Sequence, residues 1–397
     1  MNTTSKTNPD FSAVHRSLQD YIERDLLVMA SSVILRGQQI IDFHMTGYQD
    51  REEEIPLAED SIFRIFSNTK LITNVAAMML WEEGAFSLED KLYEYIPEFK
   101  NLVVLKKGST DPTETEPLQQ HATIKNLLTH TAGFSYGLFQ ESPVDLLYVG
   151  NGILSPKYTV EEMVSQLSQI PLANQPGFRW QYSVGVDVLG RLIEIWSGMS
   201  FGDFLRERIF KPLNMTDTDF YVPPEKANRF CAIYDPADML DPMVPGLNLG
   251  TDGLVGGYLP GKPFESGGGG LVSTISDYTK FMQMLMGEGT LGDVTLLKPD
   301  TLRMMHTNQL EPGISVQLPN WEMPNTKFGF GFAIKESPMA GEPDAAIGEF
   351  HWGGLAGTHT WISPRLGIAA LVFTQRMFGF WHPFSHEYKR LVYEALT

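Results

Sequence analysis

The sequence predicts a two-lobed α+β protein: one antiparallel sheet built from both ends of the chain and flanked by helices, with a mainly helical lobe between those ends. Three observations carry this expectation. Strand patterns concentrate before residue 44 and after residue 327. The chain between them shows helical spacing interrupted by Gly/Pro-rich loops. The first and last periodic segments both read as helices able to cover one face of a shared sheet. The expected lobes are residues 1–99 together with 326–397, and residues 100–325, with the functional site in the cleft between them.

The elements follow in order. Phe11, Val14, Leu18 and Ile22 recur at helical spacing through Phe11–Asp25. Val28–Leu35 and Gln38–Phe43 flank Arg36-Gly37 and read as a hairpin. Ser67–Glu83 is a strong helix ending near Gly84, and Leu88–Ile96 reads as a shorter one. Helical segments follow at Ile124–Leu128, Val160–Gln169, Val186–Trp196, Phe201–Ile209 and Ile275–Met286, and the polar stretch Lys106–Gln120 reads as a surface excursion. Strands return at Phe328–Ile334, Gly348–Trp352, Thr358–Ile362 and Gly367–Thr374, before a last helix over Ser385–Ala395.

Composition narrows the function classes. The 397 residues are 43% hydrophobic and 20% charged, which excludes wholesale disorder and a coiled coil. The net charge of −18 leaves no positive stripe for phosphate, so no nucleic-acid partner is expected. The single cysteine, Cys231, cannot form an intrachain disulfide or a multi-cysteine metal site. No stretch approaches roughly 18 uninterrupted apolar residues, so no membrane span is expected. The N-terminal stretch Met1–Asp25 lacks an apolar segment behind a basic start, so the expected location is the cytoplasm.

The sharpest chemical signal is Ser67-Asn68-Thr69-Lys70, the single S-x-x-K of the chain. Residues i and i+3 share a helix face, so the hydroxyl and the amine can touch. The positive end of the helix and burial both disfavour a charged lysine. A neutral Lys70 can take the serine proton and activate an otherwise weak nucleophile. Taken alone, the motif is also compatible with an N-cap serine beside a surface lysine. The apolar run around it, including Ile65, Phe66, Leu71, Ile72 and Val75, speaks for a buried amine. Other candidates carry less. Gln181–Gly185 resembles a G-x-S-x-G elbow around Ser183 but lacks the first glycine. His382 and His386 have helical ligand spacing, but no carboxylate pattern completes a metal site. Gly267–Gly270 lacks a following G-K-[ST] and reads as a tight turn. The aromatics Phe134, Tyr136, Phe139, Trp180, Trp352, Trp361 and Trp381 are expected near the cleft and favour an apolar substrate.

The segments Phe63–Lys70, Ala122–Phe134, Ile209–Thr218 and Gly267–Thr274 together resemble the serine β-lactamase and penicillin-binding-protein-like superfamily, nearest to class C β-lactamases and family VIII carboxylesterases. The resemblance implies a β-lactamase-like fold with Ser67 as nucleophile and Lys70 as its base. It makes Tyr182-Ser183-Val184 the counterpart of the Y-x-N motif, with Tyr182 catalytic and valine in place of asparagine. The third motif, K-T-G or H-x-G, has two possible registers, His351-Trp352-Gly353 and Trp352-Gly353-Gly354. The oxyanion hole would pair the Ser67 N–H with that of Gly354 in the first register or Leu355 in the second. The implied activity is hydrolysis of short-chain esters through an acyl-enzyme, with a small-molecule ester as partner and neither metal nor organic cofactor. A β-lactamase, a D-amino-acid peptidase and an acyltransferase are the alternatives on the same scaffold.

Overall fold

The computed structural model describes residues 9–139, 141–251, 258, 264–318, 323–339 and 342–397. Helix α1 (Ser12–Glu23) leads into a hairpin of β1 (Met29–Arg36) and β2 (Gln39–Asp50), extended by β3 (Ile55–Pro56). Helices α2 (Thr69–Glu82), α3 (Gly185–Ser197) and α4 (Ile275–Met286) follow. The chain then supplies β4 (Thr326–Phe328), β5 (Ala333–Lys335), β6 (Phe350–Gly354), β7 (Thr358–Ser363) and β8 (Ile368–Phe373), and closes with α5 (Phe384–Leu396). The strands form one antiparallel sheet in the order β4-β5-β6-β7-β8-β1-β2-β3. The two chain ends join where β1 pairs with β8, Ser31 opposite Phe373 and Arg36 opposite Ile368.

Alternation along these strands separates two packed faces. Ala30, Ile34, Trp361, Ala370 and Val372 point towards α1 and α5. Val33, Leu35, Leu371 and Phe373 join the larger core on the other face, with α2 and α4. Helix α1 buries Val14, Leu18 and Tyr21, one side of a helix at the spacing the sequence shows. In the helical region, Ile124–Leu128 and Val160–Leu167 each begin with a capping box, Thr123 with Asn126 and Thr159 with Glu162.

Several expectations change. The apolar alternation over Phe328–Ile334 is two strands, β4 and β5, paired through Phe328 and Ala333. Gly331 takes φ +90°, and a Cβ there would lie 2.8 Å from the Asn74 side chain, so the chain reverses where the pattern reads as continuous strand. Helix α4, expected within the helical lobe, packs on the sheet instead, with the Tyr278 ring 5.5 Å from that of Phe373. The Leu88–Ile96 helix shrinks to Leu92–Tyr95. The Phe201–Ile209 segment is α-helical to Leu205 and continues as a π-helical turn over Arg206–Phe210. The helix Val144–Gly150 was not expected. Among the described residues, no helix is long and apolar enough to cross a membrane.

Candidate active site

Strand Ile62–Arg64 pairs antiparallel with Val272–Thr274 and delivers the chain to the mouth of α2. Phe66 takes φ +43°, a strained conformation for a bulky residue. Ser67 follows in a 3₁₀ turn, Phe66–Asn68, that feeds directly into α2. Polar side chains fix this turn against the sheet. Asn68 donates to the Thr358 carbonyl at 3.0 Å and accepts from the Thr360 hydroxyl at 3.2 Å. Thr358 donates to the Ile65 carbonyl at 3.0 Å. The serine is thereby presented on a rigid, partly strained platform.

Lys70 lies one turn on and is 1% exposed. Its Nζ is 3.2 Å from Ser67 Oγ and 3.3 Å from the Tyr136 hydroxyl, and it donates to the Gly268 carbonyl. No carboxylate bonds it among the described residues. Burial lowers its pKa to about 7, against the opposing pull of Asp187. Tyr182 comes from the loop preceding α3, and its hydroxyl donates to Ser67 Oγ at 2.7 Å. Its ring lies under Lys70, with Nζ 4.5 Å from the centroid, and stacks on Tyr136 at 5.2 Å. Burial pushes both phenols upward. Both are therefore neutral near pH 7, and the amine is the group able to accept a proton there.

The third motif lies on β6, where alternation divides its residues. Trp352 turns towards the site, its ring 5.4 Å from Tyr182. His351 turns to the opposite face, where burial and the charges of Lys389 and Lys335 hold its imidazole well below the usual range. His351 is thus not brought to Ser67, whereas Trp352, Gly353 and Leu355 line the cleft with it. Gly354 fits because it has no side chain: a Cβ would lie 2.3 Å from the Ile65 carbonyl, where β6 meets the strand leading to the serine.

The remaining candidates fall elsewhere. Ser183 is buried, its Oγ 3.3 Å from both His130 Nδ1 and the Gly185 N–H. His130, at φ +55°, packs its ring 5.0 Å from Tyr182. His382 accepts from the Phe384 N–H, and its other ring nitrogen is 2.9 Å from the Pro242 carbonyl. Among the described residues, no three His, Cys, Asp or Glu side chains gather as a metal site would require. Trp361 packs on Tyr393 on the far face of the sheet, outside the cleft. Val184 is fully buried in the core. Sequence reasoning saw Tyr136 only as one of several aromatics and missed Asp187 and the Gly268 carbonyl. A lone acid inside the apolar run Val184–Leu189 was the available signal for Asp187.

The cleft over Ser67 is narrow, with a cavity volume of about 50 Å³, and Tyr136, Leu138, Phe139, Leu154, Phe380 and Trp381 form much of its wall. A second cavity of about 560 Å³ adjoins it, sharing Leu138, Phe139, Leu355 and Trp381. The arrangement is a serine, a buried amine and a phenol within hydrogen-bonding reach of one another at the floor of an apolar pocket. Such a set can run acyl transfer without further groups.

Comparison with known proteins gives the family. A family model described as Beta-lactamase matches residues 16–393. Esterase EstB of Burkholderia gladioli is 31% identical over 364 residues, covering 88% of this chain and 86% of EstB. The monacolin J acid methylbutanoyltransferase of Aspergillus terreus is 28% identical over 342 residues, covering 81% of this chain and 78% of the transferase. Among solved structures, EstCE1, described as a hydrolase with promiscuous acyltransferase activity, superposes with a TM-score of 0.81 at 24% identity, covering 96% of this chain and 97% of its own. The chain belongs to the β-lactamase family and is a serine hydrolase with esterase and acyltransferase relatives.

Proposed function

We propose that this protein is a carboxylesterase that hydrolyses short-chain, apolar esters through an acyl-enzyme on Ser67. The observation that carries the reading is the triangle at the cleft floor, with Ser67 Oγ 2.7 Å from Tyr182 and 3.2 Å from a Lys70 whose pKa lies near 7. Neutral Lys70 takes the serine proton as Oγ attacks the ester carbonyl. The oxyanion is received by the N–H groups of Ser67 and Leu355, which makes Trp352-Gly353-Gly354 the working register of the third motif. The proton held on Lys70 passes through the Tyr182 hydroxyl to the departing alcohol. Water, deprotonated by the same amine, then releases the acid. No metal or organic cofactor enters these steps.

The same residues weigh against β-lactams. Val184 offers no hydrogen bond where the related enzymes carry an asparagine, and Trp352 supplies no fixed cation for a carboxylate. Each lost contact to a charged or strongly polar group costs roughly 1.5–3 kcal/mol. Two such losses lower turnover by about a hundredfold or more, at ~1.4 kcal/mol per tenfold. Efficient turnover of p-nitrophenyl butyrate with weak or absent turnover of nitrocefin is the expected result. A kcat/KM on nitrocefin equal to or above that on the ester would overturn the reading. The adjoining second cavity favours one further activity, acyl transfer to an apolar alcohol seated there in place of water. Product analysis with an added alcohol acceptor tests it.

A further inference from the structure

The glycine turn over Lys70 is held by a carboxylate to which the steps above assign no role. Asp187, in the first turn of α3, is fully buried. Its Oδ1 accepts from the Gly268 N–H at 3.0 Å and from the Ser266 hydroxyl. The carbonyl of the same Gly268 accepts from Lys70 Nζ. One residue of the turn therefore touches the acid through its N–H and the amine through its C=O. Asp187 Oδ2 is buried with no hydrogen-bond partner among the described residues. A Cβ on Gly268 would lie 2.5 Å from that oxygen, so the glycine is what lets the carboxylate stand so close behind the turn. A buried carboxylate oxygen without a donor is costly unless a nearby charge compensates it.

The groups facing this carboxylate are few. Burial pushes the Asp187 carboxyl upward, and Lys70 is the cation that opposes it. The phenols of Tyr136 and Tyr182 feel its charge, and the His130 ring, held neutral by burial, feels that of Lys70. Both helix-terminus dipole and backbone bonds favour an acid at the start of α3, but neither accounts for a buried oxygen left without a donor among the described residues.

We propose that Asp187 is a positioning residue for Lys70: it clamps the Gly268 turn so that its carbonyl meets Nζ, and its negative charge faces the ammonium that forms when Lys70 takes the serine proton. The inference rests on the reading of Lys70 as the base. Chemically, the role answers a conflict within the site. Burial makes Lys70 neutral and able to accept the proton from Oγ, yet the same burial disfavours holding that proton until it is passed through Tyr182 to the alkoxide. A fixed negative charge behind the turn stabilises the protonated intermediate state of the amine without bonding to it directly. Asp187 touches no reacting atom, and its effect is exerted through Gly268 and through space.

The test is Asp187→Asn, which keeps the Oδ1 acceptor and removes the charge. With the charge gone, the ammonium is less stable, so the acid limb of kcat/KM, set by Lys70 at about 7, moves to lower pH. kcat at neutral pH falls on the order of tenfold or more while KM changes little. Ser266→Ala, which leaves the carboxylate in place but removes one donor to it, leaves its charge less compensated and shifts the limb by a smaller amount the other way, to higher pH. A folded Asp187→Asn protein whose acid limb coincides with wild type overturns the proposal, even if kcat falls. Should Asp187→Asn fail to fold, an unmoved limb in Ser266→Ala overturns it instead. The pH dependence of Ser67 labelling by a fluorophosphonate gives the same readout without ester turnover. A wild-type protein that labels at Ser67 yet hydrolyses no ester therefore sinks the esterase reading and leaves the role of Asp187 decidable.

Discussion

Lys70 and Lys335 are both almost wholly buried, at 1% and 4% exposure, but their surroundings differ in kind. Lys335, on β5, meets both carboxylate oxygens of Glu342. Beside it a second pair, Lys389 with Glu349, is backed by the Tyr393 hydroxyl at 2.8 Å. Among the described residues, Lys70 has only hydroxyls and one carbonyl at bonding distance. Burial pulls both amines downward, but at Lys335 the ion pair with Glu342 and the charge of Glu349 oppose it. The two lysines show two ways to bury an amine. One is kept charged by a partner and ties loops to the sheet. The other has no bonded carboxylate among the described residues, the setting in which we propose a base. Strand β6 separates them: His351 faces the ion pairs, and Trp352 faces the serine.

The contrast can be broken at several points, in descending order of effect. Ser67→Ala should lower kcat/KM by roughly 10⁴-fold or more with an unchanged circular-dichroism spectrum. Lys70→Arg should cost about 10³-fold, because a guanidinium stays charged and cannot accept the proton. Substantial turnover by that variant would contradict a neutral base. Tyr182→Phe removes the relay to the leaving alcohol and should cost about 10²-fold in kcat, with the loss smallest for esters of acidic, easily expelled alcohols. Lys335→Met should do the reverse of Lys70→Arg. It leaves Glu342 unpaired and lowers unfolding stability by about 3 kcal/mol in urea titration, while kcat on a short ester is retained. Loss of activity without loss of stability there would erase the distinction between the two lysines. The gentlest probe is pH: kcat/KM of the wild type should fall tenfold per unit as pH drops below about 7, where Lys70 becomes protonated.

The sheet was legible because its strands carry their own signal. Val33-Ile34-Leu35 and the β8 run are apolar on both faces, as central strands are, and α1 and α5 show single apolar stripes. The S-x-x-K pair was legible because helix geometry alone joins i to i+3. What escaped depends on contacts far apart in sequence. The reversal at Gly331 answers to the Asn74 side chain, which no local pattern reveals. Helix α4 has the same periodicity whether its apolar stripe meets a sheet or another helix, so its place on Phe373 could not be read locally. The two registers of the third motif differ only in which face of β6 turns to the serine, and alternation does not say which face is which. Asp187 and Gly268 meet across 81 residues, and a single buried acid has no periodicity to betray it.

The central claim is that Ser67 is the nucleophile, and direct location of the acyl or phosphonyl adduct tests it. After brief reaction of the intact protein with a fluorophosphonate, proteolysis and tandem mass spectrometry should place the whole adduct mass on Ser67, with labelling lost in Ser67→Ala. An adduct on Ser183, or undiminished labelling of Ser67→Ala, would contradict the account.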